Sequence, residues 1–129
     1  MDKKDFIKEI FQVMFKSANI SEAVLLTIID SKYIQHVDGK TLDFNAFYEH
    51  LKALKDKTKS IDVDFKTLVQ EGNIVFSNHT VWVRMKDDSR VKMHVIAEFH
   101  IKNGKLFYCD ELTALVQGDT KNKDLGSMR

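Results

Sequence analysis

The feature that most constrains the fold of this chain is a change of hydrophobic period at Ser60. Before it, apolar residues recur at three- and four-residue steps; after it, they alternate. Phe6, Ile7, Ile10, Phe11 and Met14 share one face of a helix predicted over 3–17, with Asp2 or Asp5 placing a carboxylate at its positive end. Ser21 caps a shorter helix bearing Val24, Leu25, Ile28 and Ile29. Tyr33 to Val37 reads as a strand closed by Asp38-Gly39. Asp43 caps a third helix on which Phe44, Phe47, Tyr48, Leu51 and Leu54 form a stripe.

Beyond Ser60, the residues Ile61, Val63, Phe65, Thr67 and Val69 face one way, while Asp62, Asp64 and Lys66 face the other. Turns at Gly72-Asn73, over 86–90 and at Asn103-Gly104 divide the C-terminal half into further strands over 74–85, 91–101 and 106–116. Helices first and strands later predict an α+β domain over 1–117, with three N-terminal helices packed on an antiparallel sheet. The stretch 118–129 is expected to be a mobile polar tail, with Leu125 and Met128 its large apolar residues. The strand over 74–85 is apolar on both faces, with Ile74, Phe76 and Trp82 on one and Val75, Val81, Val83 and Met85 on the other. That pattern predicts a homodimer formed through the sheet.

A chain of 129 residues is long enough to bury a core without metals or disulfides. Its net charge of +1 offers no basic field for nucleic acid or for an anionic membrane surface. Cys109 is the single cysteine, and the apolar run from Ala23 to Ile29 is too short to span a bilayer, so a reducing, cytoplasmic address is expected. Glycine-rich phosphate loops and zinc-protease motifs are absent from the sequence, so no cofactor is expected. His94 and His100 are six residues apart on one strand, roughly 20 Å, and with His79 and His50 they make no metal-ligand spacing.

The phrases YIQHVDG at 33–39, FHIKNGKLFYCDEL at 99–112 and the tail GDTKNKDLGSMR, together with the element order, resemble the nuclear transport factor 2-like superfamily, in its SnoaL-like and ketosteroid-isomerase-like branch. The resemblance implies a curved sheet wrapped around a long helix, with a pocket at the open end of a cone. It also implies a choice among isomerases, polyketide cyclases, dehydratases, epoxide hydrolases and noncatalytic binding modules. It sets the isomerase's general base near His36 and its carboxylic-acid donor near Ala97, which cannot donate. The first helix offers only Phe6, Phe11 and Phe15 where a tyrosine donor is needed, so steroid isomerisation is not implied. The acid/base aspartate of the cyclase-like branch corresponds to Glu111.

His36 alternates with Ile34 and faces away from Tyr33, Gln35 and Val37; as a candidate it would move a proton near neutral pH. Which carboxylate of the pair Asp110 and Glu111 points inward depends on the hairpin. A two-residue type I′ turn sets Ile101 opposite Leu106 and turns Asp110 inward. A type I turn with a bulge sets Ile101 opposite Lys105 and turns Glu111 inward, the arrangement the resemblance favours. Tyr33, Phe47, Phe65, Trp82, Phe99 and Cys109 are candidates to line a pocket for a small apolar ligand, with Cys109 read as a small hydrophobe. Three functions stay open: an acid/base enzyme using His36 with Glu111 or Asp110, a noncatalytic binding module, and an association domain.

Overall fold

The computed structural model describes residues 2–17, 20–118 and 125–126. Helix α1 (Lys3–Lys16) begins at Asp2, whose carboxylate accepts from the Lys4 amide at 2.8 Å, and buries Ile7, Ile10, Phe11 and Met14. Helix α2 (Glu22–Leu25) is a single turn capped by Ser21; Ile29, expected on it, opens the first strand instead. Helix α3 (Phe44–Lys57) starts at Asp43, which accepts from the Ala46 amide at 2.8 Å. Its buried face carries Phe44, Phe47, His50, Leu51 and Leu54. These caps satisfy amides that have no partner within the helix, which is why the short polar side chains sit where they do.

The sheet has six strands in the order β2-β1-β6-β5-β4-β3: β1 (Ile29–Val37), β2 (Lys40–Asp43), β3 (Thr58–Glu71), β4 (Ile74–Met85), β5 (Arg90–Lys102) and β6 (Lys105–Gln117). Strand β2 was not expected. Asp38 and Gly39 both have positive φ, 51° and 83°, as a type I′ turn requires, so they fold 40–43 back onto β1 rather than ending the strand. The sheet is also not wholly antiparallel, because β1 pairs with β6 in parallel. That contact joins the helical half of the chain to the meander, and α1 and α3 pack on the inner face it completes.

Two bulges decide which residues face inward. In β3 the register shifts between Phe65 and Thr67, so the inward series runs Ile61, Val63, Phe65 and then Leu68, leaving Val69 55% exposed. The strict alternation expected there breaks at the extra residue, Lys66. In the last hairpin, Asn103 and Gly104 have φ of 52° and 76° and form a type I′ turn with Ile101 opposite Leu106. A shift past Phe107 then sets Phe99 opposite Cys109 and Ala97 opposite Glu111. The turn is therefore that of one reading and the inward carboxylate that of the other. Such bulges bend and twist strands, curving the open sheet around α1 and α3.

Among the described residues no helix is long and apolar enough to cross a membrane. The tail expected over 118–129 lies outside the described residues except for Gly118, Leu125 and Gly126. Leu125 departs from the expectation: it is 4% exposed and joins the core.

Candidate acid/base site in an apolar cavity

Between α1, α3 and the inner sheet face lies a cavity of about 100 Å³. One water needs only about 10–15 Å³ on that measure, so the space admits more than a single solvent molecule. Its walls are mostly apolar: Phe11, Met14, Phe47, Leu51, Val95 and Phe99 among others. The polar lining includes Tyr33, Gln35 and Glu111 on the adjacent strands β1 and β6, His79 on β4 and His50 on α3.

Tyr33, Gln35 and Glu111 form a chain. The Tyr33 hydroxyl donates to Gln35 Oε1 at 2.6 Å, and Gln35 Nε2 donates to Glu111 Oε1 at 2.9 Å. A buried phenol in this position acts as a donor, so it fixes the glutamine with its oxygen toward Tyr33 and its NH₂ toward Glu111. Burial first, then the thiol of Cys109 and the carboxyl of Glu111, push the Tyr33 pKa well above its ordinary value, and the phenol keeps its proton. Glu111 is half-buried as a residue, with its side chain on the cavity wall. Removal from water, followed by the nearby negative charges of Asp38 and Asp110, raises its pKa from an ordinary 4.5 to about 8. At neutral pH this is an uncharged carboxylic acid with its proton available to the cavity.

Asp38 holds the rim beside it. Its backbone N–H donates to the Glu111 carbonyl at 3.2 Å, and its carboxylate accepts from the Thr113 amide at 2.7 Å and from the Thr113 hydroxyl. The positive φ of Asp38 in the β1–β2 turn is what aims that carboxylate across at β6.

The raised pKa couples to folding. In the unfolded chain the Glu111 carboxyl ionises near 4.5, whereas in the fold it keeps its proton to about 8. Its contribution is complete below pH 4.5 and is lost as pH rises through 8, at a slope of at most about 1.4 kcal/mol per pH unit. Urea denaturation at intervals from pH 5 to 9 should show this decline in the natural chain and not in Glu111→Gln; parallel curves for the two would contradict it.

The candidates from the sequence divide between the two faces of the sheet. Tyr33, Phe47, Phe99, Cys109 and Glu111 line the cavity. Phe65 does not line it; its ring packs edge-on against Phe11 at a ring-centre distance of 5.2 Å and tilted against His79 at 5.3 Å. His36, Asp110 and Trp82 lie on the outer face. His36 Nδ1 is 3.0 Å from Thr41 Oγ1 and its ring meets Tyr108 at 5.5 Å; Asp110 is exposed and pairs in register with His36 and Glu98. Trp82 is 44% exposed beneath the Lys92 ammonium. The expected pairing of His36 with Glu111 across one cavity is therefore corrected: strand alternation puts the sheet between them. Cys109 is buried, and burial followed by the neighbouring Glu111 pushes its thiol well up, so it behaves as a small hydrophobe.

Gln35 and His79 were missed as site residues. Gln35 had a signal, since it sits between Tyr33 and Val37 in a series that must face the core. His79 had one too, in the inward run Val75, Ser77, His79, Val81. It is 1% exposed, its Nδ1 is 2.7 Å from Ser77 Oγ, and burial, then His94, lowers its pKa to about 4. Among the described residues no group of three His, Cys, Asp or Glu is placed to hold a metal ion.

No protein-family model matches the chain. A relative in Schizosaccharomyces pombe, an uncharacterized protein, is 27% identical over 128 residues, covering 99% of this chain and 98% of its own. Among solved structures, IdmH of Streptomyces antibioticus, a proposed polyketide cyclase, superposes with a TM-score of 0.75 at 10% identity, covering 98% of both chains. The fold is SnoaL-like. A proposed SnoaL-like polyketide cyclase from Jannaschia agrees, with a TM-score of 0.68 at 10% identity over 84% of this chain and 83% of its own. So does a nuclear transport factor 2-like protein of unknown function from Exiguobacterium, with 0.70 at 13% identity over 84% and 97%. The inner face of this SnoaL-like sheet is where Glu111 and its partners converge.

Proposed function

We propose that this SnoaL-like protein catalyses proton transfer on a small, uncharged, largely apolar molecule, with Glu111 as the acid/base group. The observation that carries the reading is a carboxyl held neutral to about pH 8 on the wall of an apolar cavity and oriented by Gln35 and Tyr33. A group whose pKa lies near the working pH has both protonation states within reach, which acid/base catalysis requires. Gln35 engages one carboxyl oxygen and leaves the other for the substrate. Isomerisation, cyclisation, dehydration and hydrolysis all draw on that step, and structural neighbours named as proposed polyketide cyclases favour the second. Cyclohexanone in D₂O tests it by ¹H NMR: the carboxylate form of Glu111 takes an α-proton, the carboxyl trades that proton for a deuteron of the solvent and returns the deuteron to the carbon, so the protein should accelerate exchange. No acceleration over buffer overturns the reading.

A second reading, noncatalytic binding, is favoured by His79, which stays neutral down to about pH 4 and so supplies no second proton-transfer group near pH 7. Saturable binding of cyclohexanone without exchange is its signature. The buried Cys109 accords with a reducing, cytoplasmic setting.

The outer face supports a homodimer through the sheet. Phe76, Trp82, Ile96, Leu112 and Val116 are 44–67% exposed on β4, β5 and β6, with Ile96 and Leu112 paired in register, and large apolar side chains left open in this way are what a partner copy covers. Leu112→Lys, at the most exposed of these side chains, should shift the mass measured by light scattering from dimer to monomer without loss of fold. A natural chain that is already monomeric would remove the dimer.

A further inference from the structure

Leu125 and Gly126 lie past the last strand, yet both line the cavity together with Glu111 and Thr113. Leu125 is 4% exposed within the same apolar core as Phe11, Phe47 and Leu51. Gly126 is seated closely: a Cβ added there would stand 3.2 Å from Thr113 Cγ2 and 3.6 Å from Val37 Cγ2. Close backbone approach of this kind is what glycine permits. The seat itself is fixed, since Thr113 is held twice by the Asp38 carboxylate. A single leucine from a largely polar C-terminal stretch is thus inserted into the cavity over a glycine that fits its rim.

We propose that Leu125 competes with an aliphatic group of the ligand for one place in the cavity, so that Leu125, seated through Gly126, controls access to Glu111. The inference rests on the reading of this cavity as the site for a small apolar molecule, and it narrows the ligand class. The molecule carries a branched aliphatic or small cyclic group about the size of a leucine side chain, next to an oxygen that can hydrogen-bond to Glu111. A protein that fills its own site binds more weakly by the fraction of time the site is taken.

The test is fluorescence titration with N-phenyl-1-naphthylamine, a neutral apolar dye, on full-length chains. Leu125→Ala removes the competing side chain; Gly126→Val keeps the leucine but drives the segment off Thr113 and Val37. Both should bind the dye about tenfold more tightly than the natural chain, the scale set by the apolar surface of one leucine. Cooperative thermal unfolding of each variant separates this gain from dye uptake by a disordered core, and Gly126→Val decides if Leu125→Ala does not fold. Equal or weaker binding by a folded Gly126→Val overturns the proposal. If the natural chain binds just as tightly, the cavity reading survives that result; if no chain binds the dye, both fall.

Discussion

Glu111→Gln is expected to abolish proton exchange on cyclohexanone, by about 10²- to 10⁴-fold, while leaving the cavity and the fold in place. Glutamine has the shape of the protonated carboxyl and can still accept from Gln35 Nε2 through its side-chain oxygen, so the chain from Tyr33 keeps its geometry. What it lacks is a proton it can give up and recover. The natural chain should show exchange rising with pH through about 8 as the carboxylate forms. The variant should show a flat profile, and above pH 8 it should be the more stable of the two, because it never carries a charge on the cavity wall. Unchanged exchange in a folded Glu111→Gln would move the chemistry to another group.

Ile10→Ala should produce the largest loss of stability. Ile10 is fully buried on α1 and belongs to the core without lining the cavity, so its loss opens new empty volume rather than enlarging an existing space. Such truncations cost about 2–5 kcal/mol, against a total of about 5–15 kcal/mol for a typical domain. The corresponding fall in Tm is roughly 10 °C or more. A shift of a degree or two would mean that α1 is not a principal layer of the core. The contrast with Glu111→Gln matters: one substitution removes stability at a place without chemistry, the other chemistry at little cost in stability.

Periodicity made most of this architecture legible before any coordinates. The three helices, the caps at Ser21 and Asp43, and the four long strands all come from local spacing and turn residues, while the first helix offered Asp2 or Asp5, of which Asp2 is the cap. Strand β2 was hidden because Asp38-Gly39 signals a turn equally well at the end of a strand and at the middle of a hairpin. The parallel pairing of β1 with β6 was hidden because the two segments lie more than 60 residues apart and carry no local sign of each other. The inward carboxylate depended on a bulge at Phe107, a single extra residue that reverses every side chain after it. Glu111 was reached through resemblance, and alternation alone could not separate it from Asp110. The resemblance made His36 a candidate, at the isomerase's general-base position, and alternation also placed it on the opposite face from Tyr33 and Gln35. Leu125 was read with its polar neighbours because one leucine among them carries no period.

Proton transfer by this route requires a carboxyl that titrates near the working pH, and ¹³C NMR of the Glu111 side-chain carboxyl, assigned by comparison with Glu111→Gln and titrated from pH 3 to 10, measures it directly. A midpoint at about 8 is the predicted result. A midpoint near 4.5, where an ordinary glutamate ionises, would show a solvated, charged side chain and contradict the proposal that this cavity holds an acid ready to give its proton.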